Sequence, residues 1–201
     1  MDILIRPNYF PNIHQFTQII KANNILFEVS DNYQKQTFRN RTYIYGANGK
    51  LGLFIPVIHT HKNRELFEDV KISYESNWIG LHLKSLQSAY RSYPYFEYFE
   101  DDFIKLYSEK EKFLVDFNIK CIKLISNLLD LDLDFKISNE YVEKTNDIID
   151  LRDLSNARKE KKIETPKYIQ VFESKHGYLN NLSILDLIFS EGKNSVLLMN
   201  N

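Results

Sequence analysis

The first thirty residues alternate two short apolar runs with an amphipathic segment. Residues 3–5 and 25–29 are apolar runs typical of buried strands. Between them, the apolar positions of residues 13–22 follow helical spacing, which predicts a helix. This order predicts a βαβ unit. The chain that leaves its second strand should then lie at the sheet edge where open α/β proteins bind ligands.

Further strands are predicted from turn signals and from alternating apolar positions. Residues 42–45 and 51–57 flank Gly46-Ala47-Asn48-Gly49, and Asn-Gly is a strong signal for a hairpin turn. A short edge strand is predicted over residues 70–72, and the alternation over residues 168–172 predicts a strand near the end of the chain.

Four helices are predicted after residue 75 from apolar stripes and capping signals. They are a helix capped by Ser76 that reaches Ala89, a helix that starts near Pro94, a helix over residues 113–128, and a helix capped by Ser183 and ended by Gly192. The prediction is therefore an α/β fold, with a mixed β-sheet begun by a βαβ unit and flanked by several helices, in a single domain of 201 residues.

Charged residues crowd together over residues 139–167. We expect a solvated, mobile segment with at most a short helix, which could act as a lid. The basic run at 158–162 keeps a role with DNA or RNA open, but the net charge of −1 argues against a general nucleic-acid binder.

Composition favours a cytoplasmic protein. A single cysteine excludes an internal disulfide, and neither a signal peptide nor an apolar run long enough for a membrane span is recognisable. There is no Gly-x-Gly-x-x-Gly motif and no phosphate-binding loop, so no nucleotide cofactor is predicted.

The candidate functional segment is the polar stretch of residues 31–41, which lies between two predicted strands. It contains Asp31, Arg39, Asn40 and Arg41, all side chains that form strong hydrogen bonds. Core packing gives little reason for so many polar groups here, whereas binding residues are often found on loops carried by a rigid scaffold.

His82 and Ser85 lie one turn apart on the helix that follows Ser76. As site residues, they would offer a side chain that exchanges protons near neutral pH and a hydroxyl that contacts the same ligand. The alternative is that both are hydrogen-bonded residues beside a core formed by Trp78, Leu86 and Ala89.

Two further residue types have a structural interpretation and a chemical one. His59 and His61 stand at alternate positions and could share a metal, but no third ligand is near, so an exposed loop is favoured and no metal is predicted. Cys121 belongs to the apolar stripe of residues 113–128 and has no base beside it in sequence, which favours a structural thiol over a nucleophile.

Four blocks of the sequence occur in a recognisable order: Pro7-Asn8-Tyr9-Phe10, residues 31–41, Trp78 with residues 82–91 and 94–101, and residues 176–186. On these blocks, the chain resembles the WbqC-like family of bacterial proteins over almost its full length. At residues 12–16 the family often has a more aromatic or glycine-bearing segment, so no role is carried over to His14.

The resemblance implies an association with O-antigen gene clusters and the transfer of glycine to an amino sugar. Such acyl transfer needs a base, donors for the developing oxyanion and groups that hold the substrates. We expect His82 to act as base and Asp31 to orient it or to bind the incoming ammonium. Asn40 would donate to the oxyanion.

Arg39 and Arg41 are expected to hold a carboxylate or phosphate of the substrate. Ser85, Tyr90 and Arg91 would complete the substrate-binding wall. The expected partners are a small-molecule or sugar substrate and an activated glycyl donor.

The alternative is a non-catalytic module that binds a peptide or an envelope glycan precursor. In that case Arg39, Asn40 and Arg41 would only secure the ligand, and His82 would be a satisfied core residue.

Overall fold

The computed structural model describes residues 1–58, 65–143, 147–158 and 163–200. The strands are β1 (Asp2–Ile5), β2 (Asn24–Phe27), β3 (Arg41–Gly46), β4 (Gly49–Phe54), β5 (Phe135–Ile137) and β6 (Ile149–Asp150). The α-helices are α1 (Ile13–Lys21), α2 (Trp78–Tyr90), α3 (Phe96–Ser108), α4 (Leu114–Leu128), α5 (Glu173–His176), α6 (Ile184–Glu191) and α7 (Asn194–Asn200). Short 3-10 helices cover Phe38–Asn40, Phe67–Asp69 and Arg152–Ser155.

A parallel sheet carries the fold, and it begins with the predicted βαβ unit. Its strand order is β5-β2-β1-β6, and each neighbouring pair is parallel. Ile3 lies opposite Ile25 on one side and Ile149 on the other. Residues 3–5 are buried throughout, as expected for a strand covered on both faces. The predicted α/β fold with a mixed set of strands and flanking helices in one domain is confirmed.

The predicted hairpin is confirmed as the antiparallel pair β3–β4. Gly46 lies opposite Gly49, so only Ala47 and Asn48 form the loop. Gly49 has a φ of +99°, a conformation that L side chains rarely adopt. The Asn-Gly signal therefore located the turn correctly.

The predicted helices are present, with one correction to a cap. Helix α2 begins at Trp78, and its cap is Asn77, whose side chain accepts a hydrogen bond from the backbone N–H of Gly80. Ser76 is therefore not the N-cap, because the side-chain oxygen of the next residue satisfies the first turn instead. In α4, Cys121 is fully buried, and burial raises the pKa of its thiol.

Two predicted strands are absent from the part of the chain that the structure describes. Residues 70–72 form only isolated bridges to Val57 and Phe113. In residues 168–172 the alternation is real, since Ile169 is 75% exposed whereas Tyr168 is buried, but no strand pairs with the segment. The hydroxyls of Ser190 and Tyr93 bond its backbone in place of a neighbouring strand.

The charged stretch of residues 139–167 contributes more to the fold than its composition suggested. It contains β6 and the 3-10 helix Arg152–Ser155, and Asn156 forms a bridge with Thr37. Arg152 is buried. The expectation of a solvated segment therefore does not hold for the buried residues Arg152 and Ser155, and two acids neutralise the buried arginine.

Helix α6 is capped as predicted and is anchored by a buried acid. The Ser183 side chain accepts a hydrogen bond from the backbone N–H of Leu185, and Gly192 ends the helix with a φ of +55°. Asp186 in the first turn accepts hydrogen bonds from the hydroxyls of Tyr90 (2.8 Å) and Tyr168 (2.6 Å). Burial raises its pKa to about 6.

The two glycines Gly192 and Gly177 allow a matched test of close packing. Both have positive φ, but a Cβ at Gly192 would lie 2.7 Å from the Tyr95 ring, whereas a Cβ at Gly177 would meet nothing within 4 Å. Gly177→Ala should therefore lower the free energy of unfolding by the conformational cost alone, about 1–3 kcal/mol. Gly192→Ala should cost clearly more in urea denaturation. Equal losses for the two variants would contradict this packing.

Candidate functional site

The carboxyl ends of the parallel strands form a charged edge. In sequence order, the four strands of the sheet are arranged 3-2-1-4, so the strand order reverses between β1 and β6. Ligands of open α/β proteins bind outside the carboxyl ends of the strands at such a reversal. Arg6 directly follows β1, and Arg152 follows β6 by two residues. The Arg6 guanidinium donates to the backbone carbonyl of Arg152 at 2.7 Å, which joins the two strand ends.

Asp31 lies between two arginines at this edge. Its Oδ2 accepts from Nε (2.8 Å) and Nη2 (2.7 Å) of Arg6, and its Oδ1 accepts from Nη1 of Arg39 at 3.1 Å. The carboxylate is almost completely buried. An ionised carboxylate has about four acceptor positions, so these three contacts leave one position on Oδ1 for a further donor.

Arg39 is fully enclosed beneath Asp31. Its guanidinium lies against the rings of Tyr33 (5.0 Å) and Phe67 (4.9 Å), and its Nε donates to the Thr37 hydroxyl at 3.2 Å. Burial lowers its pKa to about 10 against the opposing attraction of Asp31. Arg39 therefore positions Asp31 and the polar stretch, and it is not exposed to a ligand.

A second buried ion pair lies beside the first. Glu28, directly after β2, accepts from Arg152 at 3.3 Å, from the Ser138 hydroxyl at 3.0 Å and from the backbone N–H groups of Ser30 and Val142. Arg152 is also held by Asp150, and this hydrogen bonding raises its pKa. The ends of all four parallel strands are thus tied together by charges and hydrogen bonds.

A cavity of about 420 Å³ opens at this edge. It is lined by Arg6, Ser30, Asp31, Asn32, Gln34, Leu66 and Tyr141. Its volume is in the range of small-ligand pockets. The lining offers one guanidinium, one carboxylate, a hydroxyl, amides and an exposed phenol, a set suited to a small ligand with several hydrogen-bonding groups.

His82 is enclosed among aromatic side chains. It is 1% exposed, its Nδ1 bonds the Tyr9 hydroxyl at 2.9 Å, and it packs against the rings of Trp78 and Tyr107. The Tyr9 hydroxyl also bonds that of Tyr107. Burial lowers the pKa of His82 to about 4, although a hydrogen bond with the Phe54 backbone opposes this.

The structure does not bring His82 to Asp31. Among the contacts of the described residues, none joins its ring to Asp31, Arg39 or Arg41. Two hydrogen bonds and an aromatic shell instead satisfy a neutral imidazole. Its role as a base stays a prediction with no supporting contact.

Asn40 and Arg41 flank the start of the hairpin. The Asn40 side chain donates to the Ile55 carbonyl at 3.0 Å, and the Arg41 guanidinium lies over the Phe54 ring at 5.2 Å. Neither residue lines the cavity at the sheet edge. Their predicted roles in oxyanion and substrate binding stay predictions.

The other predicted substrate-binding residues lie elsewhere in the molecule. Ser85 donates to the Leu81 carbonyl and lines a second cavity of about 300 Å³ between α2 and the hairpin turn. Tyr90 is fully buried and bonds Asp186, and Arg91 is exposed at the end of α2. None of these three residues lines the cavity that contains Asp31.

Sequence reasoning identifies Asp31 but misses most of its neighbours. It does not select Arg6, Glu28, Arg152 or Tyr141 as site residues. Arg6 carries a usable signal, because a charged residue that directly follows a parallel strand lies at the same edge as Asp31. Arg152 carries none, because β6 has only two residues.

The structure contains no candidate metal cluster within the residues it describes, and His59 and His61 lie outside them. No helix of the described chain has the length and hydrophobicity required to cross a membrane.

The fold and the charged edge define the class of protein: a single-domain α/β protein with a small polar pocket where the order of its parallel strands reverses. The chain belongs to the WbqC-like protein family, whose model matches residues 6–162. The matched region includes the whole charged edge, whereas the motif at 176–186 lies outside it. No curated protein and no solved structure matches the chain.

The lowered pKa of His82 predicts acid sensitivity. Its folded-state pKa is about 4, against an ordinary value of 6.5, so the unfolded state binds the proton first. The contribution of neutral His82 to the free energy of unfolding is complete above pH 6.5. It falls by about 3 kcal/mol as the pH is lowered to about 4. His82→Gln, which retains a donor and an acceptor, should lack this loss when unfolding is measured across that range.

Asp186 has a raised pKa, so its protonation stabilises the folded state as pH falls, opposite to His82. Both proteins contain Asp186, so comparing wild type with His82→Gln at each pH cancels its effect. The exposed His176→Gln is the matched control and should follow wild type. A pH dependence shared by wild type and His82→Gln would mean that His82 is not held neutral by burial.

Proposed function

We propose that this protein binds an amino sugar in the cavity at the carboxyl edge of its sheet and transfers an aminoacyl group, in the first instance glycyl, to the sugar amine. The proposal is carried by one observation: Asp31, fixed by Arg6 and Arg39, retains one acceptor position beside a cavity of ligand size. The choice of acceptor is supported by the association with O-antigen genes that the resemblance to the WbqC-like family implies.

The cavity has groups that match the two kinds of polar substituent on an amino sugar. The open position on Asp31 Oδ1 would accept a hydrogen bond from the amine. Asn32, Gln34 and Tyr141 would bond the hydroxyls, which both donate and accept. Because Arg6 neutralises Asp31, the ligand need not carry a net charge.

The proposed reaction needs no covalent intermediate with the protein. The sugar amine attacks the carbonyl carbon of an activated glycyl ester or thioester, and the C–O or C–S bond breaks. The proton lost by the amine leaves with the released alcohol or thiol. The role of the protein would be to hold the amine in line with the carbonyl carbon. A reaction without a covalent intermediate agrees with the environment of Cys121, because burial raises the pKa of its thiol and so disfavours the nucleophilic thiolate.

A non-catalytic role in binding an envelope glycan precursor is the second candidate. The enclosure of His82 favours it, because no imidazole lines the Asp31 cavity to serve as a base. Under this candidate the same cavity binds the ligand, but no transfer follows. The single cysteine, which allows no internal disulfide, makes the reducing cytoplasm the proposed location for either role.

The test combines binding with turnover. Wild-type protein is incubated with amino sugars and with glycyl-tRNA or a glycyl thioester, and mass spectrometry is used to look for the glycylated sugar. Asn32→Ala and Gln34→Ala remove exposed lining residues, so the fold should be kept while affinity falls about tenfold, the effect of about 1.4 kcal/mol.

Lys35→Ala is the matched control, since this exposed residue belongs to the same loop but does not line the cavity. Binding without transfer in wild type would reject the transferase and support the second candidate. Equal binding by Asn32→Ala, Lys35→Ala and wild type would reject the cavity itself.

A further inference from the structure

A third cavity is lined by two tyrosine rings, and its residues are remote in sequence from the charged edge. It has a volume of about 400 Å³ and is lined by Tyr95, Tyr98, Phe99, Glu191, Lys193 and Asn194. None of these residues lines the Asp31 cavity. The aromatic side comes from the start of α3, and the polar side comes from the connection between α6 and α7.

Tyr95 is held in place by backbone contacts. Its N–H donates to the backbone carbonyl of Phe189, on α6, at 3.1 Å. Its ring rests directly on Gly192, where even a methyl group would come within 2.7 Å of the ring carbons. Because Gly192 ends α6 with a positive φ, the close approach of ring and backbone is part of the helix end. The ring is therefore preorganised.

Tyr98 forms the second wall and is open to solvent. It is 79% exposed, more than any other large hydrophobic residue among those described. The Tyr95 and Tyr98 ring centroids are 6.5 Å apart, and the ring planes meet at 46°. This angle leaves a concave corner, whereas two stacked rings would have covered each other's faces.

The other side of the cavity is polar and electrically balanced. It offers the carboxylate of Glu191, the ammonium of Lys193 and the carboxamide of Asn194. Lys193 is paired with Asp130, and Glu191 accepts from the Ser190 hydroxyl at 3.1 Å. Because the lining carries charges of both signs, it disfavours a strongly charged ligand. Its hydrogen-bond donors and acceptors suit hydroxyl groups, which both donate and accept.

From these features we propose that the Tyr95–Tyr98 corner is a binding site for a neutral saccharide. A pyranose ring has an apolar C–H face and a rim of hydroxyls, so its face would pack on the tyrosines while its rim bonds Glu191 and Asn194. The cavity volume lies in the range of small-ligand sites. This site does not depend on the proposed function, because no residue is shared with the Asp31 cavity.

The experiment titrates the ¹⁵N-labelled full chain with maltose, cellobiose and N,N′-diacetylchitobiose and follows the amide shifts by NMR. At least one of these probes should shift the amides of residues 191–194, and saturation transfer should reach its C–H face. Tyr98→Ala should weaken binding about tenfold, whereas Tyr98→Phe, which keeps the ring, should weaken it less.

Leu197→Ala is the matched control: Leu197 is 65% exposed but does not line the cavity, so its loss should leave binding unchanged. Failure of all three saccharides to shift these amides at millimolar concentration would overturn the proposal, as would unchanged binding by Tyr98→Ala. Binding of adenosine or indole in the absence of saccharide binding would also overturn it, since the corner would then select flat aromatic rings.

Discussion

The structure depends on a buried carboxylate shared by two guanidinium groups. Removing each charge from water costs several kcal/mol, so Asp31, Arg6 and Arg39 are stable inside the protein only when they are together. Arg6 follows β1, Asp31 follows β2, and Arg39 lies in the 3-10 helix eight residues later. Their pairing folds the polar stretch back onto the sheet and gives the cavity its floor.

This constraint also explains how a polar cavity can be rigid. The Arg39 guanidinium is covered by two aromatic rings, and Glu28 and Arg152 form a second buried pair that meets Arg6 through one carbonyl. A ligand would therefore meet a carboxylate whose position is already fixed, and little side-chain entropy would be lost on binding.

The sequence predicted what depends on local patterns. The βαβ unit, the hairpin at Asn48-Gly49 and the capped helix at Ser183 follow from spacing and turn chemistry, and all are present. The side-chain partners could not be predicted, because the contact of Arg6 with Arg152 spans 146 residues. His82 has a side chain of the kind found in catalytic sites, but its enclosure by Trp78 and Tyr107 is visible only in the structure.

Hydrogen exchange of an Asp31→Asn variant tests the central claim most directly. The backbone N–H groups of Tyr33, Phe67 and Glu68 bond across the polar stretch, to the carbonyls of Glu65, Asp31 and Val29. Without the carboxylate charge, these amides should exchange about tenfold faster or more, while those of β1 and β2 keep their protection. The exposed Asp153→Asn is the control. Unchanged exchange at Tyr33, Phe67 and Glu68 would show that the charge cluster does not hold this edge together.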